Sequence, residues 1–186
     1  MGSWRVGLVG CGFFARNHLE AWRALGPRAR LAAVCDQDPQ RAEACAREFG
    51  ARAYTSLEEM LERERLDFVD IVTPPATHRA LVERVAAFGL PVICQKPLAP
   101  SLEEARAMVQ ACREAGVQLM VHENFRWQRP MRELRRRAEG LGRLFFGRIS
   151  FRSAHDVYRA QPYLAQDPRF ILLDLGVHLL DLARFF

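Results

Sequence analysis

Five short apolar runs, separated by stretches of helical periodicity, leave this chain few architectures. The runs occupy residues 4–9, 31–35, 68–72, 91–94 and 118–121, each of strand length and rich in aliphatic or β-branched side chains. Between them the pattern turns helical. Over 102–115, Ser101 and Glu104 form a capping box, Leu102, Ala105, Met108, Val109 and Cys112 share a face, and Gly116 stops the helix. Ser56 and Glu59 repeat the box for a shorter helix, and Thr77 opens another whose Leu81, Val82, Val85 and Ala86 face inward before Gly89. Apolar strands alternating with helices require a parallel sheet covered on both faces. The expected fold is therefore α/β, a doubly wound parallel sheet over residues 1–122.

Beyond residue 122 the texture changes. Residues 130–138 read as an arginine-rich helix, 144–152 as one strand and 153–170 as a polar loop. The segment 172–186 is amphipathic, with Leu175, Leu179, Leu182 and Phe186 on one helical face and Asp174, His178 and Asp181 on another. A single long strand does not stand alone. Residues 123–186 thus read as the beginning of a truncated α+β second domain, and the unpaired apolar edge of 144–152 predicts self-association.

Charge and cysteine usage exclude several function classes. The formal charge is +5, but the arginines are spread through most helices, so they read as solvated surface. Arg132, Arg135, Arg136 and Arg137 make one basic turn, and nucleic acid is not the expected partner. The 5 cysteines are an odd set with no CxxC pairing, which points to reduced thiols in a cytoplasm rather than to a disulfide framework or a zinc ribbon. The N-terminus offers only a short apolar run before Gly10, so neither a signal peptide nor a membrane span is expected.

Three elements carry chemistry. The run Gly10-Cys11-Gly12-Phe13-Phe14-Ala15 follows an apolar strand and opens a helix, where small residues permit a tight turn and close approach of backbone N–H groups to a pyrophosphate. Asp36 ends the next strand, where an acid can accept both ribose hydroxyls of an adenosine and repel a 2′-phosphate. Arg41 can reach back toward it, which leaves NADP open beside NAD. The plainer alternative is a glycine turn and a surface aspartate. Next, Thr73-Pro74-Pro75-Ala76-Thr77-His78 follows the strand ending near Val72, where two prolines stiffen a wall for a flat cofactor, and His78 there reads as structural or as a ligand contact. Finally, Lys96 is the one lysine among 27 basic residues. Arginine keeps its proton in a protein and lysine can be tuned, so Lys96 is a proton-transfer candidate; a chance survivor at a strand end is the alternative.

The motifs GCGxxA, VCDxDxxRA, TPPxxH, QKPLA, NFRW and DLGVHLLD occur here in one order, and together they resemble the Gfo/Idh/MocA family of nicotinamide-dependent oxidoreductases. The resemblance implies an NAD(P)-binding Rossmann domain at 1–122 and an incomplete substrate and oligomerisation domain at 123–186. It implies hydride transfer between NAD(P) and a sugar, polyol or related hydroxyl compound, a homo-oligomer, no metal and no membrane. Lys96, Asp174 and His178 become the catalytic set, with Lys96 and His178 in proton transfer and Asp174, one turn earlier, able to orient the imidazole. Cofactor contacts fall to Gly10, Gly12, Phe13, Phe14, Ala15, Asp36, Arg41, Thr73, Pro74, His78, Gln95, Lys96 and Asn124. Arg126 and Trp127, with His155, Asp156, Tyr158 and Tyr163 of the polar loop, are available to substrate. Two departures stand out: Gln95 replaces the usual acid before the lysine, and the chain stops early. The early stop supports an alternative, a nucleotide-binding module or regulator with little catalysis.

Overall fold

The first apolar run forms β1 (Trp4–Val9), which pairs in parallel with strands on both sides. On one side lie β2 (Ala29–Cys35) and β3 (Arg52–Tyr54), and on the other β4 (Phe68–Ile71), β5 (Val92–Gln95) and β6 (Leu119–His122), giving the order β3-β2-β1-β4-β5-β6. The computed structural model describes residues 2–154, 159, 165 and 168–186, and the chain divides into two units, Met1–His122 and Glu123–Phe186. In the first unit the helices α1 (Ala15–Ala24), α2 (Pro39–Phe49), α3 (Leu57–Arg63), α4 (Pro75–Ala87) and α5 (Leu102–Glu114) connect successive strands. This is the doubly wound α/β architecture that the periodicity predicts.

Local chemistry sets the helix starts. Asp38 caps α2 by accepting from the Gln40 and Arg41 N–H groups, Ser56 caps α3 through Glu59 N–H, and Ser101 caps α5 through Glu104 N–H at 3.2 Å. One expectation shifts: α4 begins at Pro75, not Thr77, because proline at the first helical position needs no donor. Thr77 instead donates its hydroxyl to Thr73 Oγ1 at 2.7 Å. Leu102, placed by periodicity on the inner face of α5, is exposed at its first turn, whereas Met108 and Cys112 are buried.

Two apolar layers sandwich the sheet. One joins Met60, Val69, Ile71, Val82, Val85, Val92 and Met108, the other Val6, Leu8, Leu19, Leu31 and Val34. A register shift sets Val6 against Leu31 and Gly7 against Ala33, so the bulge at Ala32 re-phases β2 and lets Leu31 and Val34 reach the same layer. Strand β3 escapes the sequence reading because it has three residues and no apolar alternation; a fully buried Glu64 carboxylate holds it, hydrogen-bonded to Tyr54 Oη at 2.8 Å and Arg52 Nη2 at 2.5 Å.

Among its described residues the second unit contains a 3-10 turn (Phe125–Trp127), α6 (Arg129–Ala138), a second 3-10 turn (Glu139–Leu141), a π-helical stretch (Ile171–Gly176) and α7 (Val177–Phe185). Residues 144–152, expected as a strand, carry no strand here. A strand is defined by a hydrogen-bonded neighbour, and among the described residues this segment has none. Its apolar residues stand exposed, Phe145 and Phe146 most of all. His155, Asp156, Tyr158 and Tyr163 lie outside the described residues. No helix among the described residues is long and apolar enough to cross a membrane.

Thiol burial in the first unit has a measurable consequence. Burial, with the Asp70 charge second, pushes Cys94 from an ordinary value of 9.0 up to about 12; burial, with Asp36 and Glu58 behind it, pushes Cys35 up to about 11. Both thiols therefore keep their protons in the folded chain after the unfolded chain has lost them. Their contribution is intact below pH 9.0 and is lost as pH rises toward the folded values. Denaturant titrations should show Cys94 alone lowering unfolding free energy by about 1.4 kcal/mol per pH unit above that point, a slope that Cys94→Ala reduces.

Candidate functional site

Strands β1 and β4 are neighbours, yet the chain leaves them toward opposite sides of the sheet, so a crevice opens where their C-terminal ends diverge. Gly10 sits at that point with φ 96°, donating its N–H to Cys35 O at 2.8 Å. A Cβ there would lie 2.7 Å from Val72 O and 2.8 Å from Thr73 Cγ2, so only glycine lets the loops after β1 and β4 meet. At Gly12 the reverse holds, and a Cβ would meet nothing within 4 Å. Helix α1 then starts at Ala15 with Phe14 as N-cap, no side-chain cap and no acid in its first turn. Its positive end is left to backbone N–H groups, which fits a pyrophosphate. Phe13 is 75% exposed beside it.

Asp36 ties this loop to β2. Its Oδ2 accepts from Cys11 N–H at 2.7 Å and its Oδ1 from Asp38 N–H at 2.9 Å. A carboxylate has about four lone-pair positions, so acceptor capacity is left for vicinal hydroxyls. Arg41, the cation that the sequence offers to a 2′-phosphate, pairs instead with Asp38 at 3.3 Å. The arrangement fits the adenosine ribose of NAD.

The remaining calls in the first unit divide. Thr73 and Pro74 line the exit of β4, half-buried and exposed respectively. His78, expected among the cofactor contacts, is instead fully buried, with Nδ1 3.0 Å from Leu98 O and Nε2 2.8 Å from Thr73 O. Its ring spans the loops after β4 and β5. Gln95 ends β5 and is buried; its Oε1 accepts from Lys96 N–H at 2.7 Å and its Nε2 lies 2.8 Å from His18 Nε2. Lys96 follows, half-buried, at the C-terminal edge of the sheet.

In the second unit His178 is buried near the start of α7, with Phe125 stacked on its ring at 3.9 Å and 5°. Its Nδ1 is engaged by Glu123 Oε1. Glu123, rather than Asp174, thus provides the carboxylate on that nitrogen, and Nε2 is the ring position left to exchange a proton. Asp174 lies half-buried in the π-helical stretch one turn earlier. Arg126, expected to face substrate, donates Nε–H to Asp181 Oδ2 at 2.7 Å and a second bond to Oδ1, pinning the 3-10 turn to α7. That bidentate pair raises the guanidinium's proton affinity further. Trp127 is exposed, and Asn124 Oδ1 is buried with no hydrogen-bond partner among the described residues.

Sequence reasoning missed Glu123, His18 and Asp70. Only Asp70 left a signal, an acid within the apolar run Phe68-Val69-Asp70-Ile71, since such an acid needs a buried partner.

Comparison with known proteins places these features among relatives. Residues 4–123 match the model of the Gfo/Idh/MocA oxidoreductase family, NAD-binding Rossmann fold. The chain is 54% identical over 181 residues to D-apiose dehydrogenase of Paraburkholderia graminis, covering 96% of this chain and 48% of that protein. It is 31% identical over 181 residues to inositol 2-dehydrogenase of Rubrobacter xylanophilus, covering 97% and 51%. An oxidoreductase from Agrobacterium radiobacter, solved with NAD+, L-tartaric acid and magnesium, superposes with a TM-score of 0.93 at 48% identity, covering 98% of this chain and 54% of that one. The chain thus spans about half the length of the curated relatives it matches.

The two glycines should separate under substitution. Gly10→Ala combines a left-handed backbone with a clash against Val72 O and is expected to cost about 2–4 kcal/mol, read as a lowered thermal midpoint. Gly12→Ala should fold within about 1 kcal/mol of the parent and lose affinity for NAD, measured by calorimetry.

Proposed function

The chain belongs to the Gfo/Idh/MocA family of oxidoreductases, and on that premise we propose that the protein moves a hydride between NAD and a hydroxyl-bearing carbon of a sugar, with D-apiose the first candidate. The observation that carries the reading is the gathering of the glycine loop, Asp36 and Lys96 at the C-terminal edge of one parallel sheet. For the substrate, two relatives named D-apiose dehydrogenase share 54% and 50% identity with this chain, against 31% for an inositol 2-dehydrogenase.

When bound, the nicotinamide supplies the hydride acceptor. Gly10 and Gly12 shape the loop that admits the pyrophosphate at the start of α1, and Asp36 takes the ribose hydroxyls. A carbinol also has to lose its O–H proton as the hydride leaves, and that task falls to Lys96 and His178. His178 is suited to it because Glu123 accepts from Nδ1–H, fixing a tautomer whose Nε2 carries a lone pair. Lys96 is suited because a lysine, unlike an arginine, can give up its proton. Asn124 is available to the cofactor, and Asp174 to substrate, as the family resemblance implies.

In the purified protein NADH should form with D-apiose faster than with myo-inositol; equal rates would remove the substrate assignment. Lys96→Ala should keep NAD binding and lower kcat by roughly 10²–10⁴-fold, and unchanged turnover would sink the proton-transfer role. In thermal-shift titrations NAD should stabilise more than NADP, a gap that Asp36→Ala closes.

A further inference from the structure

Beneath Lys96 runs a buried polar chain that the proposed chemistry does not use. Gln95 on β5, His18 on α1 and Asp70 on β4 are each buried, with 6%, 5% and 0% exposure. Gln95 Oε1 meets Lys96 N–H at 2.7 Å, Gln95 Nε2 meets His18 Nε2 at 2.8 Å, and His18 Nδ1 meets Asp70 Oδ2 at 2.8 Å. Trp22 Nε1–H donates to the same Asp70 oxygen at 2.8 Å. His122 packs 4.4 Å from the His18 ring and Phe14 of the glycine loop 5.8 Å from it.

The direction of every bond follows from the Lys96 amide. A backbone N–H can only donate, so the Gln95 atom facing it is the amide oxygen. The Gln95 NH₂ group therefore faces His18, and Nε2 has to be the acceptor. A neutral imidazole with a bare Nε2 carries its proton on Nδ1, where it donates to Asp70. We propose that Gln95, His18 and Asp70 are positioning residues that set the backbone at Lys96, with Gln95 holding His18 as the neutral Nδ1–H tautomer. This inference rests on the oxidoreductase reading for its consequence in turnover, but not for the tautomer itself.

The chain links α1, β4 and β5, the three elements whose ends carry the glycine loop, Thr73 and Lys96. It is also expensive. Asp70 Oδ1 is buried with no hydrogen-bond partner among the described residues, and apolar side chains would fill the same space without that penalty. A polar network of that cost beneath a proton-transfer lysine is what positioning requires and what packing does not. Gln95 also explains its own departure from the family's acid. A glutamate there accepts from Lys96 N–H with one oxygen and presents the other to His18, which then has to protonate Nε2 as well, placing an imidazolium between two carboxylates.

Long-range ¹H–¹⁵N correlation spectra of the ¹⁵N-histidine chain at neutral pH provide the test. His18 should show a protonated Nδ1 and a bare Nε2; the opposite tautomer, or a doubly protonated ring, overturns the proposal. The near-isosteric Gln95→Glu should show both nitrogens protonated, and an unchanged His18 spectrum overturns it equally. In the purified protein His18→Ala and Gln95→Glu should each lower kcat on the order of tenfold to a hundredfold with KM within about twofold. Wild-type kcat in a folded Gln95→Glu protein removes the positioning role. If the wild-type protein shows no NAD-dependent turnover of a sugar or polyol while the His18 spectra come out as expected, it is the oxidoreductase reading that fails and the tautomer assignment that stands.

Discussion

Gly10 holds the crevice together, because two backbone hydrogen bonds converge on the Val9–Gly10 peptide from opposite directions. Its own N–H reaches back to Cys35 O on β2, while Val72 N–H, leaving β4, reaches Val9 O at 2.8 Å. With β2 and β4 both hydrogen-bonded at the exit of β1, the chain has to turn within one residue, and the turn brings its Cα close to the Val72 carbonyl. No side chain fits there. The turn at Gly10 then places the other pieces of the first-unit site: Cys11 N–H finds Asp36, Gly12 opens space ahead of α1, and α1 carries His18 back under the sheet to Asp70. A loop of modest sequence signal is thereby the point from which both ends of the site are set.

Polar groups buried in this chain behave in two ways. Glu64 is satisfied by Arg5, Arg52 and Tyr54, and the result is structural: it holds β3, too short and too polar to dock by apolar burial. Asp70 is only half satisfied, with Trp22 and His18 sharing one oxygen and the other left bare among the described residues. A fully paired carboxylate can be explained by the element it anchors. A fully buried carboxylate left with an orphaned oxygen calls for a function elsewhere, because stability alone would favour a hydrocarbon at that position.

Legibility in the sequence followed range. Five of the six strands and the capped helices were readable because apolar periodicity and Ser–x–x–Glu boxes act within a few residues. The glycine loop, Asp36 and Lys96 were readable because their neighbours in sequence carry the motif. The structure departs where partners are distant. Glu123 and His178 are 55 residues apart, His18 and Asp70 52, and Gln95 and His18 77, and no periodicity reports such pairs. Residues 144–152 show the converse: local pattern asks for a strand, but pattern cannot supply the neighbour that makes one. His78 fell between the two, its place in the first turn of α4 legible and its bonds to Thr73 O and Leu98 O not.

The contrast between Lys96 and the arginines sharpens once the arginines have partners. Arg16, Arg23, Arg63, Arg79 and Arg137 pair with glutamates on exposed helix faces, and Arg5 and Arg52 with Glu64. A permanently charged, planar cation suits all of these positions, whether weak exposed pairs or the anchor of β3. At the end of β5 the demand differs. The side chain below is an amide, its NH₂ is committed to His18 and its oxygen to the Lys96 backbone, so Gln95 brings no formal charge to that end of the strand. Glutamate there would both hold the lysine's proton more firmly and force a second proton onto His18. Lysine above glutamine is therefore one coupled choice: a cation able to lose its proton, over a network that stays neutral at Gln95 and His18 while fixing the backbone that carries it.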